Sequence, residues 1–237
     1  MPPAPGPGHD ADHPTASAAS SGRPWLLAVL AAAVVVAWPT PLLYPLKVFT
    51  VLLHELGHGA AAVLTGGSIE RIELNADLGG ACWSRGGFRP LVLAAGYLGS
   101  MFFGGLILLV GARVRRDELL AGVLGAAVVV LTLIFVRTIF GLVFGLGFGL
   151  ALMAAARWLP PAANDLLLKL LGVTSMLYAV IDIKEDLITR TVPGSDAWAM
   201  SRELFFPPVF WGVLWMALAL AAAVGLVRAA VRLERGR

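Results

Sequence analysis

Residues 46–65 read LKVFTVLLHELGHGAAAVLT, a stretch that sets both the architecture and the chemistry of this chain. It is mostly apolar and has the length that an α-helix needs to cross a bilayer, about 20 residues. It nevertheless carries His54, Glu55 and His58 on a single turn. An ionised carboxylate in a membrane helix costs roughly 2.5 to 3.5 kcal/mol on insertion scales. The three side chains therefore indicate a functional site at membrane depth.

The overall composition extends the membrane interpretation to the rest of the chain. Of its 237 residues, 58% are hydrophobic and only 14% are charged, whereas a soluble domain has about 25% charged residues. The net charge is +3, and the basic residues fall between and after apolar runs, which is typical of membrane topology and not of nucleic-acid binding. The single cysteine, Cys82, excludes an internal disulfide and a cysteine-based metal site.

Seven apolar stretches are long enough, or nearly so, to span a bilayer. They cover residues 25–44, 46–65, 91–111, 119–136, 140–156, 166–188 and 209–229. Pro39 and Pro41 are expected to break the second half of the first stretch. Residues 1–24 are interpreted as a disordered tail, and residues 25–237 as one membrane-embedded domain. The predicted fold is an all-α polytopic membrane protein with about six or seven transmembrane helices.

A Gly-rich and more polar segment separates the second apolar stretch from the third. Residues 68–74 and 81–84 are predicted to pair as two short strands around the turn at Gly79-Gly80. The segment is too polar to span, so we interpret it as a small β-hairpin at the membrane surface.

Clusters of arginine predict the orientation of the chain. They follow the third stretch, the fifth and the seventh, at Arg113, Arg115 and Arg116, at Arg157, and at Arg228, Arg232, Arg235 and Arg237. The positive-inside rule places these ends in the cytoplasm, with the hairpin on the opposite face. We therefore expect a multi-pass plasma-membrane protein whose C-terminus is cytoplasmic.

The motif His54-Glu55-Leu56-Gly57-His58 carries the chemistry. Residues i and i+4 lie on one face of a helix, so His54 and His58 present two imidazoles to one point, with Glu55 beside them. Two histidines can bind Zn2+ and leave coordination positions open, and a neighbouring glutamate can accept a proton from the attacking water. The motif thus predicts a zinc site in the second membrane helix.

Two aspartates compete for the place of a third zinc ligand, which is expected to be a carboxylate. Asp182, in the sixth stretch, lies about 9 Å from the outer end of its helix, and His58 lies about 10 Å from the outer end of its own. These matching depths favour Asp182. Asp196, in the outer loop, is the alternative, although Ser195-Asp196 also reads as the start of a short helix that runs to Phe205.

Several motifs together resemble the site-2 protease clan, and most closely its bacterial M50B-like branch. They are the HELGH motif in the second membrane helix, the Gly-rich hairpin, the run Ala95-Gly96-Tyr97-Leu98-Gly99-Ser100, Asp182, Ser195-Asp196-Ala197, Trp211 and Trp215. The resemblance covers most of residues 46–220. It implies a zinc metalloprotease in which His54 and His58 bind zinc, Glu55 is the catalytic acid/base, and Gly96 and Ser100 are structural residues near the site.

The chain also departs from better-known members of that clan. Ser100 stands where they have an asparagine, and no Leu-Asp-Gly or Pro-Asp-Gly motif is present. Three functions are therefore considered. The first is an intramembrane endopeptidase that cleaves membrane protein substrates within or beside the bilayer. The second is a catalytically inactive relative that acts as a membrane scaffold or binding partner. The third is a channel or transporter, although such proteins commonly show internal repeats and none is evident in the sequence.

The hairpin suggests how a substrate would bind to the first of these. An exposed strand edge can pair with an extended peptide. The candidate edge is residues 68–74, with Ser68, Ile69, Glu70, Arg71 and Ile72 as the substrate-binding residues. A simple surface lid is an equally good interpretation of the hairpin.

Overall fold

The computed structural model describes residues 24–114, 116–185 and 194–235. Residues 1–23 of the predicted tail and the last residues of the sixth predicted stretch lie outside this description. The helices are α1 Pro24–Ala37, α2 Tyr44–Leu64, α3 Arg89–Arg113, α4 Asp117–Phe135, α5 Ile139–Trp158, α6 Pro161–Lys184, α7 Asp196–Glu203 and α8 Pro208–Arg235. Between α2 and α3 lie the strands β1 Ser68–Leu74 and β2 Gly80–Arg85.

Within the described residues, five helices are long and apolar enough to cross a membrane, namely α3, α4, α5, α6 and α8. The pair α1 and α2 adds at most one more span, because the two helices meet at a bend of 118°. The bend contains Pro39 and a short 3-10 turn, Pro41–Leu43, and a proline has no N–H with which to continue a helix. With its 14 residues, α1 rises only about 21 Å, less than the roughly 30 Å of the hydrocarbon core.

This architecture confirms the predicted fold class, an all-α polytopic membrane protein with a small β-hairpin after the second helix. The described residues allow up to six spans. In this part of the chain the first apolar stretch does not form a separate span, because α1 stops at the proline-containing bend.

The hairpin folds back along α2. Its strands pair antiparallel, with Ile72 opposite Cys82. At the tip, the Tyr44 hydroxyl at the start of α2 donates a hydrogen bond of 2.7 Å to the Ala76 carbonyl. Leu78 in the same tip has a φ of 68°, a left-handed conformation that costs a non-glycine residue roughly 1–2 kcal/mol. Its side chain packs against the apolar cluster around α2 and α5, which helps to offset that cost.

The outer edge of β1 rests on the turn between α4 and α5. The Arg137 N–H donates to the Ile72 carbonyl at 3.0 Å. The Thr138 hydroxyl donates to the Leu74 carbonyl at 2.8 Å and accepts from the Leu74 N–H at 3.2 Å. The same hydroxyl also accepts from the Gly141 N–H and so caps α5. One threonine thus ties the hairpin to the helical bundle.

Small residues bring the central helices close together. Gly57 on α2 lies against α3, where an added Cβ would overlap the Ala95 carbonyl and approach the Cα of Gly99 at 3.2 Å. Gly104 on α3 faces the carbonyl of Gly172 on α6 in the same way. α3 and α6 are the most buried spanning helices, while most of α4, α5 and α8 is exposed on the surface of the chain, as lipid-facing helices are. α3 is therefore the support against which α2, α6, α7 and α8 pack.

Candidate metal centre

Three side chains converge on one point in the interior of the protein. Nε2 of His54 and Nε2 of His58 lie 3.1 and 3.2 Å from the same atom, Oδ2 of Asp196. One ligand atom from each of the three residues falls within 4.8 Å of the other two. The three side chains are only 13%, 9% and 15% exposed, respectively. Across residues 24–114, 116–185 and 194–235, no second group of three histidine, cysteine or acidic side chains could hold a metal ion.

Two separate helices deliver these ligands. His54 and His58 lie on successive turns of α2, and their ring centroids are 4.8 Å apart. Asp196 is the first residue of α7, whose start is capped by the Ser195 side chain, which accepts from the Trp198 N–H. α7 buries Ala197 and Met200 in the apolar cluster that α3, α6 and α8 share. The packing of α7 on α3 therefore holds Asp196 over the histidines.

Two of the three separations between ligand atoms are close to those expected around a shared zinc ion. Metal–ligand distances of roughly 2.0–2.1 Å at a tetrahedral angle separate two ligand atoms by about 3.3 Å. The observed separations between the histidine Nε2 atoms and the Asp196 oxygen, 3.1 and 3.2 Å, are close to this value.

Gly96 on α3 leaves space at the point of convergence. A Cβ atom at this position would lie 2.5 Å from Nε2 of His58 and closer still to Nε2 of His54. Any larger residue would therefore enter the space between the two nitrogens. The residues present fit a metal ion, both in their donor atoms and in the cradle that surrounds them.

The second nitrogen of each histidine has a different environment. Nδ1 of His58 donates a hydrogen bond of 2.7 Å to the carbonyl of Val92 on α3. This bond leaves Nε2 to face the site, the arrangement usual for a metal-binding histidine. For the buried Nδ1 of His54, no hydrogen-bond partner is found among the described residues.

The two histidines favour the ionised form of the Asp196 carboxyl group. Burial by itself would raise the pKa of its carboxyl group, but the charge of His58 and the hydrogen bonds from both histidines outweigh burial and hold the pKa below its usual range. One carboxyl group and two imidazoles meet at this point, and this combination of ligand types suits zinc.

The hairpin closes over Glu55, which lies next to His54 on α2 and is buried. The backbone N–H of Cys82 in β2 faces the Glu55 carboxyl. Burial, together with the nearby Glu55, raises the pKa of the Cys82 thiol to about 12, so this thiol is protonated and a poor nucleophile. Glu55 and the three candidate ligands line one cavity of about 540 Å³, which the end of α6 and the start of α7 also border.

The cluster contains Asp196, the alternative third ligand, and not the favoured Asp182. Asp182 lines the same cavity but is absent from the group of converging ligand atoms. The sequence favoured Asp182 because its expected depth in the sixth helix is similar to that of His58 in the second. Depth along a helix, however, does not determine where a side chain lies within the plane of the membrane. The packing of α7 brings Asp196, and not Asp182, to the two histidines.

The remaining predicted residues are Gly96 and Ser100 on α3 and residues 68–72 on β1. Gly96 faces the two imidazoles, whereas the buried Ser100 hydroxyl donates to the Tyr97 carbonyl of its own helix. On β1, Glu70 forms an ion pair with Arg85, and Arg71 forms one with Glu73. The cavity is lined by β2, at residues 80–82 and Ser84, and not by residues 68–72 of β1.

Sequence reasoning missed the contribution of Tyr97. Its ring is 1% exposed and meets the His54 ring edge-on, with centroids 4.9 Å apart. The buried Trp215 of α8 lies behind it, with ring centroids 5.6 Å apart. Tyr97 directly follows Gly96 in the motif of residues 95–100. This position was the one feature of the sequence that could have indicated its place beside the site.

The sequence model of one protein family matches most of this chain. The match is to the Peptidase M50B-like family and covers residues 27–226, which include α2, the hairpin, α3 and α7. The chain belongs to this family. No curated protein and no solved structure matches it. The resemblance inferred from the motifs is thereby confirmed, and this M50B-like protein is a multi-pass membrane protein of a peptidase family with a His/His/Asp cluster in its interior.

Proposed function

We propose that this M50B-like protein is an intramembrane zinc endopeptidase that cleaves membrane-associated protein substrates. One observation carries the proposal: the three ligand atoms of His54, His58 and Asp196 converge beside a buried glutamate, in one cavity of a membrane-embedded fold. Family membership supports the reaction class.

In this proposal His54, His58 and Asp196 hold the zinc ion. Zinc, when bound, supplies a Lewis acid that polarises a carbonyl group and makes water more acidic. Gly96 keeps the centre open, and the bond from His58 to the Val92 carbonyl orients that imidazole. Asp196 replaces Asp182 as the proposed third ligand.

Glu55 is the proposed general acid/base. Its carboxylate accepts a proton from the attacking water and returns that proton to the amine that leaves when the peptide bond breaks. Its position next to His54 on α2 places it at the edge of the ligand cluster and in the same cavity. Such proton transfer contributes typically 10²–10⁴-fold to a rate.

We also propose that an extended substrate pairs with β2 and not with β1. The outer edge of β1 is engaged by the turn at Arg137 and Thr138, while residues of β2 line the cavity that contains Glu55. A peptide added along β2 would therefore lie beside the catalytic side chains.

The proposed orientation places the C-terminus of α8 in the cytoplasm of a plasma-membrane protein. Arg113 lies in the last turn of α3 and Arg157 in the last turn of α5. Helices that alternate in direction put both of these ends on the same face as the arginines near the end of α8, and the positive-inside rule assigns that face to the cytoplasm.

The function can be tested with purified protein in detergent and fluorescein-labelled casein, an unfolded substrate with an accessible backbone, alongside single-span membrane substrates. We expect wild type to contain about one zinc and to cleave. Glu55→Gln should keep the metal and cleave about 10²-fold more slowly or worse. Glu185→Gln, at the exposed end of α6, is the matched control and should behave as wild type.

Two outcomes would contradict the proposal. Cleavage by Glu55→Gln at the wild-type rate would overturn the proposed role of Glu55. A zinc-loaded wild type that cleaves neither substrate class would favour the scaffold function.

A further inference from the structure

The hairpin and the catalytic turn of α2 meet at a glycine. An ideal Cβ built on Gly80 would lie 2.5 Å from Oε1 of Glu55, 3.0 Å from its Cδ and 2.9 Å from a methyl carbon of Val51. These distances are below normal van der Waals contact. The backbone of β2 therefore touches the Glu55 carboxyl directly, and it can do so because residue 80 has no side chain.

A second contact comes from the same strand. The backbone N–H of Cys82 also faces the Glu55 carboxyl. Cys82 is paired across the hairpin with Ile72, whose carbonyl accepts from the Arg137 N–H on the opposite edge. The backbone groups at this level of the hairpin thus point outward on both sides, to the α4–α5 turn on one side and to Glu55 on the other.

The hairpin is itself held in place at several points. Thr138 bonds both backbone groups of Leu74, and Tyr44 bonds the carbonyl of Ala76 at the tip. Leu74 is paired with Gly80, so the anchor on α5 lies directly across the strands from the glycine that meets Glu55. A rigid support of this kind suits a group that must be placed accurately.

We infer that the hairpin belongs to the catalytic machinery, with Gly80 and the Cys82 N–H acting as positioning groups that aim the Glu55 carboxylate. This inference rests on the proposed function and deepens it. It assigns the hairpin a role beyond that of a lid or a substrate-binding edge. A misplacement of about 1 Å in a reacting group can cost about 10²-fold in rate.

The direct test is Gly80→Ala in the full-length protein. The new methyl group must displace either the Glu55 carboxyl or the hairpin. We expect kcat on labelled casein to fall about 10²-fold. Zinc content should be unchanged, because the ligands on α2 and α7 are not touched. Gly79→Ala is the matched control, because the atoms nearest to its Cβ belong to the flexible side chains of Asp77 and Asn75, and it should retain wild-type kcat. A Gly80→Ala protein with wild-type kcat, or with only KM raised, would overturn the inference.

A double-mutant cycle tests the coupling between the two residues. Glu55→Asp withdraws the carboxyl by one methylene and should by itself slow the reaction. Combined with Gly80→Ala, it should lower kcat by less than the product of the two single effects, since the shorter side chain no longer reaches the added methyl group. Effects that multiply would show that Gly80 does not act through Glu55.

A readout independent of activity separates this inference from the proposed function. Cys82 is the single cysteine of the chain and lies partly buried in β2, so its rate of labelling by a maleimide reports how closely the hairpin sits on α2. Gly80→Ala should label several-fold faster than wild type, and Gly79→Ala should not. Inactive wild type with this labelling difference would count against the protease while preserving the hairpin contact. If Gly80→Ala labels at the wild-type rate and has a normal kcat, the hairpin does not contact Glu55 as we infer.

Discussion

Oδ2 of Asp196 lies 3.1 Å from Nε2 of His54, although 142 positions separate the two residues in the chain. The aspartate comes from the first turn of α7 and the histidine from the middle of α2. The carboxylate comes from a distant part of the chain and gives the two buried imidazoles a third potential metal ligand. Most of the expectations below depend on this contact.

Asp196→Ala should abolish zinc binding, whereas Asp182→Ala should retain it. Removing one of three protein ligands leaves two imidazoles, and a carboxylate that only lines the cavity cannot replace the lost oxygen without movement of α6. Zinc content of the purified proteins, measured by mass spectrometry, checks this. The opposite pattern, with metal lost only in Asp182→Ala, would restore Asp182 as the ligand.

Gly96→Ala should weaken zinc binding by about 10- to 100-fold, a loss of the size seen when groups around a metal site are disturbed. The added methyl would occupy the space between the two Nε2 atoms. Competition with a zinc chelator of known affinity gives the measurement. Gly147→Ala is the control, because an added Cβ there has no atom within 4 Å. Unchanged affinity in Gly96→Ala would mean that a bound ion lies elsewhere.

Tyr97→Ala should destabilise the protein by about 3–5 kcal/mol, the usual cost of deleting a buried aromatic ring. The ring fills the space between His54 and Trp215, so its loss should also loosen the imidazole. Thermal unfolding in detergent, followed by tryptophan fluorescence, gives the stability. Tyr97→Phe keeps the ring and should recover most of it. A Tyr97→Ala protein as stable as wild type would show that the ring is not part of the core.

Thr138→Val should lower stability by about 1–3 kcal/mol, because it leaves the Leu74 N–H and carbonyl without their side-chain partner. The hairpin should then sit less firmly, and Cys82 should label faster. Thr40→Val, which removes an exposed hydroxyl bond to the Ala37 carbonyl, is the control and should change stability by less than about 0.5 kcal/mol. If both variants label at the wild-type rate, the Thr138 bonds do not hold the hairpin.

Local sequence determined much of this protein. The low charge and the apolar runs predicted the polytopic fold, since a chain in lipid must satisfy its backbone hydrogen bonds internally, as an apolar helix does. The i, i+4 spacing of His54 and His58 predicted a shared face on one helix, and the paired glycines predicted the turn of the hairpin. Each of these properties depends on neighbours within a few residues, so the sequence alone carries it.

The tertiary structure decided what joins those histidines. Asp182 and Asp196 both read as candidates, and only the packing of α7 on α3 brings the second one to the site. Likewise, the turn at Thr138 engages β1 and leaves β2 to face Glu55. Contacts of this kind join residues that are distant along the chain, and the spacing of residues within one helix or strand does not encode where another element will pack.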